Sequence, residues 1–304
     1  MILLQRLTGN PLIAGSLAAM FLILPLLQLI VPLPIYLVAL RLGIKAGALA
    51  GAVTILLCIG ILGQLALSYV ATLLVLIWFP LLAVWLIKGG WRPIQILGGG
   101  YFLALAMLTL FLLVSFLTGN GLMDQLLSHL MDSKELILGS MVESKEFDAK
   151  MVVGVEQGLD EMFRLFTFLS PALFVSTWFT VQVGNFLLVR HLLDRWQMPL
   201  MAKQDLSSLR VPFFLVWPLI ACGMLAFLGS GLVQQFGINL VIFLATPYFF
   251  QGYSVVQKWF AHYKVSVFVR IIFYTLLMTW LALLLVVTVL GLFDTWVDFR
   301  NRLT

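Results

Sequence analysis

Charged side chains are scarce in this sequence. Asp, Glu, Lys and Arg make up 10% of the 304 residues, whereas 62% are hydrophobic. A water-soluble domain of this size could not cover its surface with so few charges, so that class is excluded. Cysteine is nearly absent. Cys58 and Cys222 each stand in an apolar stretch, which argues against a disulfide framework and against a CxxC metal or redox site. Histidine is equally thin. His129, His191 and His262 lie in different connections, and none stands four residues from another, so zinc chemistry of the HExxH type is not encoded. No glycine loop ends in Gly-Lys-Ser/Thr. Leu228-Gly229-Ser230-Gly231 lacks the leading glycine of a serine-nucleophile loop, and no span holds a histidine to serve as its base. The sequence therefore predicts no enzyme, no metal and no cofactor. The formal net charge of +5 is spread over several short connections rather than one patch, which speaks against a nucleic-acid partner.

What is present is a series of apolar runs long enough to cross a bilayer, about 20 residues each. They fall at residues 12–31, in a glycine-rich run ending near 63, and at 69–87, 101–117, 167–189, 213–233, 237–256 and about 271–293. Pro32 and Pro34 interrupt the first, and the piece 35–40 is too short for an ordinary span. The expectation is an all-α, polytopic integral membrane bundle. It has about eight long spans plus one short or re-entrant helix, forming a single membrane domain over 1–304. The run 12–31 is too long for a signal-peptide core and no small-residue cleavage pattern follows it, so it is read as a retained span. Gly98, Gly99 and Gly100 are read as a loose stretch, residues 64–68 as an uncharged turn, and residues 234–237 as a tight turn.

Small residues recur at helical spacing. Ala14 with Ala18, and Gly15 with Ala19, form small-xxx-small pairs that let another helix come close. Ordinary internal packing is the commoner use of such a face, and docking of another membrane subunit is the alternative. Gly43, Gly47 and Gly51 are expected on one helix face.

Residues 122–164 differ from the rest. Between Asp124 and Arg164 stand nine of the chain's 13 acidic residues against four basic ones. Two apolar stripes, one through Leu122, Leu126 and Leu130 and one through Val152, Val155, Leu159 and Phe163, predict two amphipathic helices. The basic residues lie in the connections around 41–45, 88–92, 190–210 and 258–270. Such a charge bias places those connections in the cytoplasm and the acidic insertion outside. The side of the C-terminus stays open, because Arg300 and Arg302 oppose an outside location.

No span as drawn holds Asp, Glu, Lys or Arg in its interior. The polar groups within them are amides: Gln28, Gln182, Asn185, Asn239 and Gln251. Buried amides in a bundle most often serve as interhelical hydrogen-bond partners. The functional alternative is a neutral pocket lined with aromatics such as Trp178, Trp217 and Tyr253. Candidate ligand residues on that alternative are Gln182, Asn185, Trp217, Asn239 and Gln251. Asp294 and Asp298 stand four apart at the end of the last span, and the spacing predicts an Asp298–Arg302 pair on an amphipathic helix end, with Trp296 as an interfacial anchor.

YFFQGYSVVQKW (residues 248–259) and LGLFDTWVDFRNR (290–302), together with SLRVPFFLVWP (208–218) and SPALFVSTW (170–178), resemble the YybS-like family of uncharacterised bacterial membrane proteins. PLPIYLVALRLGIKAGALAGA (32–52) is more distantly similar to the short second helix and Gly/Ala-rich third helix of S-components of energy-coupling-factor transporters. That likeness implies an S-component-like core. It also implies a first-helix face, here Ala14, Gly15, Ala18 and Ala19, open to a coupling subunit. The expected function is a small-molecule-binding subunit of the bacterial inner membrane that depends on a partner for energy. The alternative is a non-catalytic membrane scaffold or regulatory protein.

Overall fold

The computed structural model describes residues 9–62, 66–118, 121–144, 148–198 and 210–299, and all of its regular structure is helical. Among the described residues there are eleven α-helices. They are α1 (Pro11–Ile23), α2 (Pro32–Leu42), α3 (Ile44–Leu62), α4 (Ala66–Lys88), α5 (Pro93–Thr118), α6 (Gly121–Ser144), α7 (Ala149–Arg195), α8 (Val216–Leu228), α9 (Gly231–His262), α10 (Val267–Thr279) and α11 (Leu281–Val297). The chain divides into two compact units, Met1–Ala104 with Thr177–Leu206, and Leu105–Ser176 with Ser207–Thr304.

In the first unit, α2 is the element the others surround. All nine residues from Pro32 to Leu40 are buried. A helix that is apolar on every side has to be enclosed, and α1, α3 and α4 pack on it. This is the short helix expected at 35–40, extended at both ends. Glycines set how closely the helices approach. A Cβ on Gly47 would strike Ala39 and Leu81, one on Gly51 would strike Ile77, and one on Gly15 would meet Ala50 and Val53. Thr54 Oγ1 ties α3 to α1 by donating to the Gly15 carbonyl at 3.1 Å. The glycine face has two members rather than three. Gly43 is the C-cap of α2 with φ 105, a conformation that suits glycine and lies outside both helices.

In the second unit, α9 packs chiefly on α11 and α8. Gly252 and Gly291 bring the α9 and α11 backbones together: a Cβ on Gly252 would collide with the Val287 carbonyl, and one on Gly291 with the Tyr248 carbonyl. Gly237 does the same between α9 and the Cys222–Ala226 backbone of α8. α6 and the start of α7 are joined by Lys134, which reaches Asp160 at 2.8 Å and Glu156 at 3.3 Å. The hydrogen bond to Asp160, followed by that to Glu156, raises the Lys134 pKa. Arg270 donates to the Val265 and Phe260 carbonyls and so holds the turn from α9 to α10.

Several sequence expectations are corrected. Among the described residues, four helices are long and apolar enough to cross a membrane, or five if the pair α10–α11 counts as one span, so the expected eight long spans are not supported. The run 12–31 is broken at Leu24, held extended before Pro25, and continues as a short 3-10 turn, Pro25–Ile30. The run 213–233 is divided at Gly229–Gly231. The last run bends by 103° at Trp280, whose backbone is extended and where neither proline nor glycine gives notice in the sequence. Conversely, some expected breaks are helical. Gly98, Gly99 and Gly100 lie within α5, where a Cβ on Gly100 would meet the Phe79 ring. Residues 234–237 lie within α9. Of the turn expected at 64–68, residues 66–68 belong to α4, and 64 and 65 lie outside the described residues. α7 is one helix of 47 residues, about 70 Å long, where the sequence suggested an amphipathic helix and a separate span starting near Pro171.

Candidate functional site

Prolines inside helices leave backbone groups without their usual partners, and the buried amides meet that need. Pro80 stands inside α4 and has no N–H to give to the carbonyl four residues earlier, that of Leu76. Gln182 Nε2 donates to that Leu76 carbonyl at 3.2 Å. Asn185, one turn further along α7, donates to the Leu29 carbonyl at 2.7 Å, within the 3-10 turn between α1 and α2, and to Val181 at 2.8 Å. Gln28 likewise donates to the Leu22 carbonyl beside the Pro25 break.

The second unit repeats the device. Pro171 interrupts α7, and Asn239 of α9 inserts its amide there. Asn239 Oδ1 accepts from Ala172 N at 2.9 Å, and Nδ2 donates to the Phe168 carbonyl at 2.8 Å. These are the two groups that a regular helix pairs with each other across one turn. Gln235 Nε2 also reaches the Phe168 carbonyl, and Ser170 Oγ donates to that of Thr167, the acceptor Pro171 cannot serve. A small crevice opens beside this break, with Ser115, Pro171 and Gln235 in its wall.

Gln251 makes a third junction. Its Oε1 accepts from Val211 N at 2.7 Å, and its Nε2 donates to Asp294 Oδ2 at 3.1 Å and reaches Thr295 Oγ1 at 3.5 Å. Asp294 is 3% exposed and lies within α11. Asp294 is thus a buried carboxylate inside a helix, where the sequence placed it at the end of the last apolar run. The Gly252–Gly291 contact explains it, since two backbones in contact leave Asp294 one turn beyond Gly291, beside Gln251. Asp298 is the left-handed C-cap of α11, and its Oδ2 accepts from Arg210 Nη2 at 2.7 Å. Its expected partner Arg302 lies outside the described residues.

Of the sequence-derived ligand residues, Gln182 and Asn185 belong to the first unit, and Trp217, Asn239 and Gln251 to the second. Asn239 and Gln251 are 12 residues apart on α9, about 18 Å along its axis. Trp217 is 63% exposed, while Trp178 is buried and stacked on Trp78 with ring centroids 6.1 Å apart. Ala14, Gly15, Ala18 and Ala19 are buried inside the first unit, where α3 packs on α1. Among the described residues no group of three His, Cys, Asp or Glu is placed to hold a metal.

Gln182 and Asn185 stand about one turn apart on α7. Gln182 is 0% exposed and Asn185 2%, yet Gln182 Oε1 and Asn185 Oδ1 have no hydrogen-bond partner. The hydroxyl of Tyr36, fully buried on α2, has none either. The Tyr36 ring meets Phe186, the neighbour of Asn185, edge-on at 6.3 Å. Sequence reasoning missed Tyr36. Its signal was a lone hydroxyl-bearing residue in the apolar stretch after Pro32 and Pro34.

The family described as "Predicted membrane protein (DUF2232)" matches residues 12–295, nearly the whole chain. No curated protein and no solved structure matches.

Proposed function

The chain belongs to that family, DUF2232, and on that premise we propose that it is a non-catalytic, small-molecule-binding multi-pass protein of the bacterial inner membrane. In this reading the basic connections face the cytoplasm, and the resemblance of the C-terminal motifs to the YybS-like family and of residues 32–52 to S-components supports a binding role. One observation carries the reading. The core of the first unit holds two amide oxygens and a tyrosine hydroxyl that are buried without a hydrogen-bond partner. Native cores leave few such groups, each costing about 1–3 kcal/mol, and a bound molecule that the chain admits by local rearrangement would satisfy them.

A second reading, a scaffold or regulatory membrane protein, is favoured by a different observation. The amide nitrogens of Gln182, Asn185 and Asn239 already serve backbone carbonyls. Mass spectrometry of the gently solubilised chain separates the two. A small molecule released on denaturation supports binding. Envelope proteins copurifying with a ligand-free chain support the scaffold and overturn the first reading.

A further inference from the structure

In the second unit, two contacts along α11 fix its direction beside α9. The helices touch where a Cβ on Gly252 would meet the Val287 carbonyl and one on Gly291 the Tyr248 carbonyl. Beyond that contact, the Trp259 and Phe299 rings stand edge-on with centroids 6.4 Å apart. Trp259 follows Gly252, and Phe299 follows Gly291, by about 10–12 Å of helix rise. Were α11 antiparallel to α9, the two rings would be carried about 20 Å apart, so the helices run the same way. α10 runs the opposite way. Val265 N donates to the Phe260 carbonyl, and Phe273 then packs edge-on against Phe260 at 5.2 Å. Next in the chain, Tyr274 accepts from Gln257 Nε2 and lies 6.1 Å from the Tyr253 ring, so α10 retraces the last turns of α9. Its 13 residues span about 20 Å, against a hydrocarbon core of about 30 Å, and it meets α11 at a bend of 103°. Its outward side chains Val267, Phe268, Ile271 and Met278 are exposed, which suits lipid and not water. At the bend, Trp280 N donates to the Leu276 carbonyl, and the Trp280 carbonyl accepts from Leu283 N and Leu284 N. The backbone groups of the break residue itself are thus satisfied, as lipid requires.

We infer that α10 and α11 form a re-entrant hairpin, which enters the membrane from the side of the α9–α10 turn and returns to that side without crossing. The end of α11 therefore lies with Lys258, His262 and Lys264. On the charge bias this side is the cytoplasm, which Arg300 and Arg302 of the sequence suit. The returning helix is latched by Gln251, which donates to Asp294, and by Arg210, which donates to Asp298. The pair adds no fifth span to the four long apolar helices among the described residues. The hairpin holds whether or not a small molecule is bound.

The test uses single cysteines in the full chain lacking Cys58 and Cys222. Each is treated with a membrane-impermeant maleimide in right-side-out spheroplasts and in inverted membrane vesicles. Ser230, His262 and Met278 are exposed, so replacing them leaves the packing intact. His262→Cys and Thr304→Cys should react in the same preparation, and Ser230→Cys, at the other end of α9, in the opposite one. Met278→Cys should react in neither preparation and fully after denaturation in SDS. Reaction of His262→Cys and Thr304→Cys in opposite preparations would make α10–α11 a crossing span and overturn the hairpin. Reaction of Met278→Cys in either preparation would place α10 in water and overturn it as well.

Discussion

Asn239 shows most clearly how a single side chain substitutes for backbone. Its amide holds both Ala172 N and the Phe168 carbonyl at the Pro171 break. Asn239→Leu should therefore strand two buried backbone groups at about 1–3 kcal/mol each. The cost should fall when Pro171 is replaced by Ala, because the repaired turn can then close on itself. A double-mutant cycle in detergent thermal unfolding measures this coupling. Additive effects would mean that Asn239 acts on stability through packing alone. Asp294 offers a parallel case. Asp294→Leu leaves Gln251 Nε2 without its nearest acceptor and should destabilise the chain by about 1–3 kcal/mol, whereas Asp294→Asn, which can still accept, should cost less. Unfolding midpoints of the two variants compare these directly.

At the scale of the helix, glycine contacts decide sign as well as size. Gly184 lies in α7 with nothing within 4 Å of a Cβ, so Gly184→Ala should stabilise by about 0.5–1 kcal/mol through helix propensity. Gly291→Ala forces the α9 and α11 backbones apart and should destabilise by about 1–3 kcal/mol or more. Thermal unfolding of the pair should show opposite shifts, and equal shifts would contradict the contact. Gly47→Leu should behave as Gly291→Ala does, since Ala39 and Leu81 already occupy that space. Much at this scale was legible beforehand. Pro32 and Pro34 announced the short helix, and the spacing of Gly47 and Gly51 announced a packed face. The bend at Trp280 was not legible, because no residue there restricts the backbone. The continuity of α7 through Pro171 was hidden for a different reason. The group that bridges the break, Asn239, stands 68 positions away, and local propensity cannot register a partner so distant in sequence. The same distance hid the burial of Asp294. From sequence it was a charge at the end of an apolar run, and only the Gly252–Gly291 contact sets it beside Gln251. Of the candidate site, the amides could be named from sequence, but which of their atoms find a hydrogen-bond partner depends on tertiary geometry.

For the whole molecule, the charge distribution predicts sidedness. A cysteine introduced at Ser140, in the acidic stretch, should react with a membrane-impermeant maleimide in intact cells, and one at Lys203 only after permeabilisation, both in a chain lacking Cys58 and Cys222. The reverse pattern would invert the topology. The proposed function turns on whether the chain holds a small molecule. Native mass spectrometry of the detergent-extracted chain tests it most directly. A discrete small-molecule adduct is expected on the wild-type chain. A wild-type chain free of any adduct would contradict it.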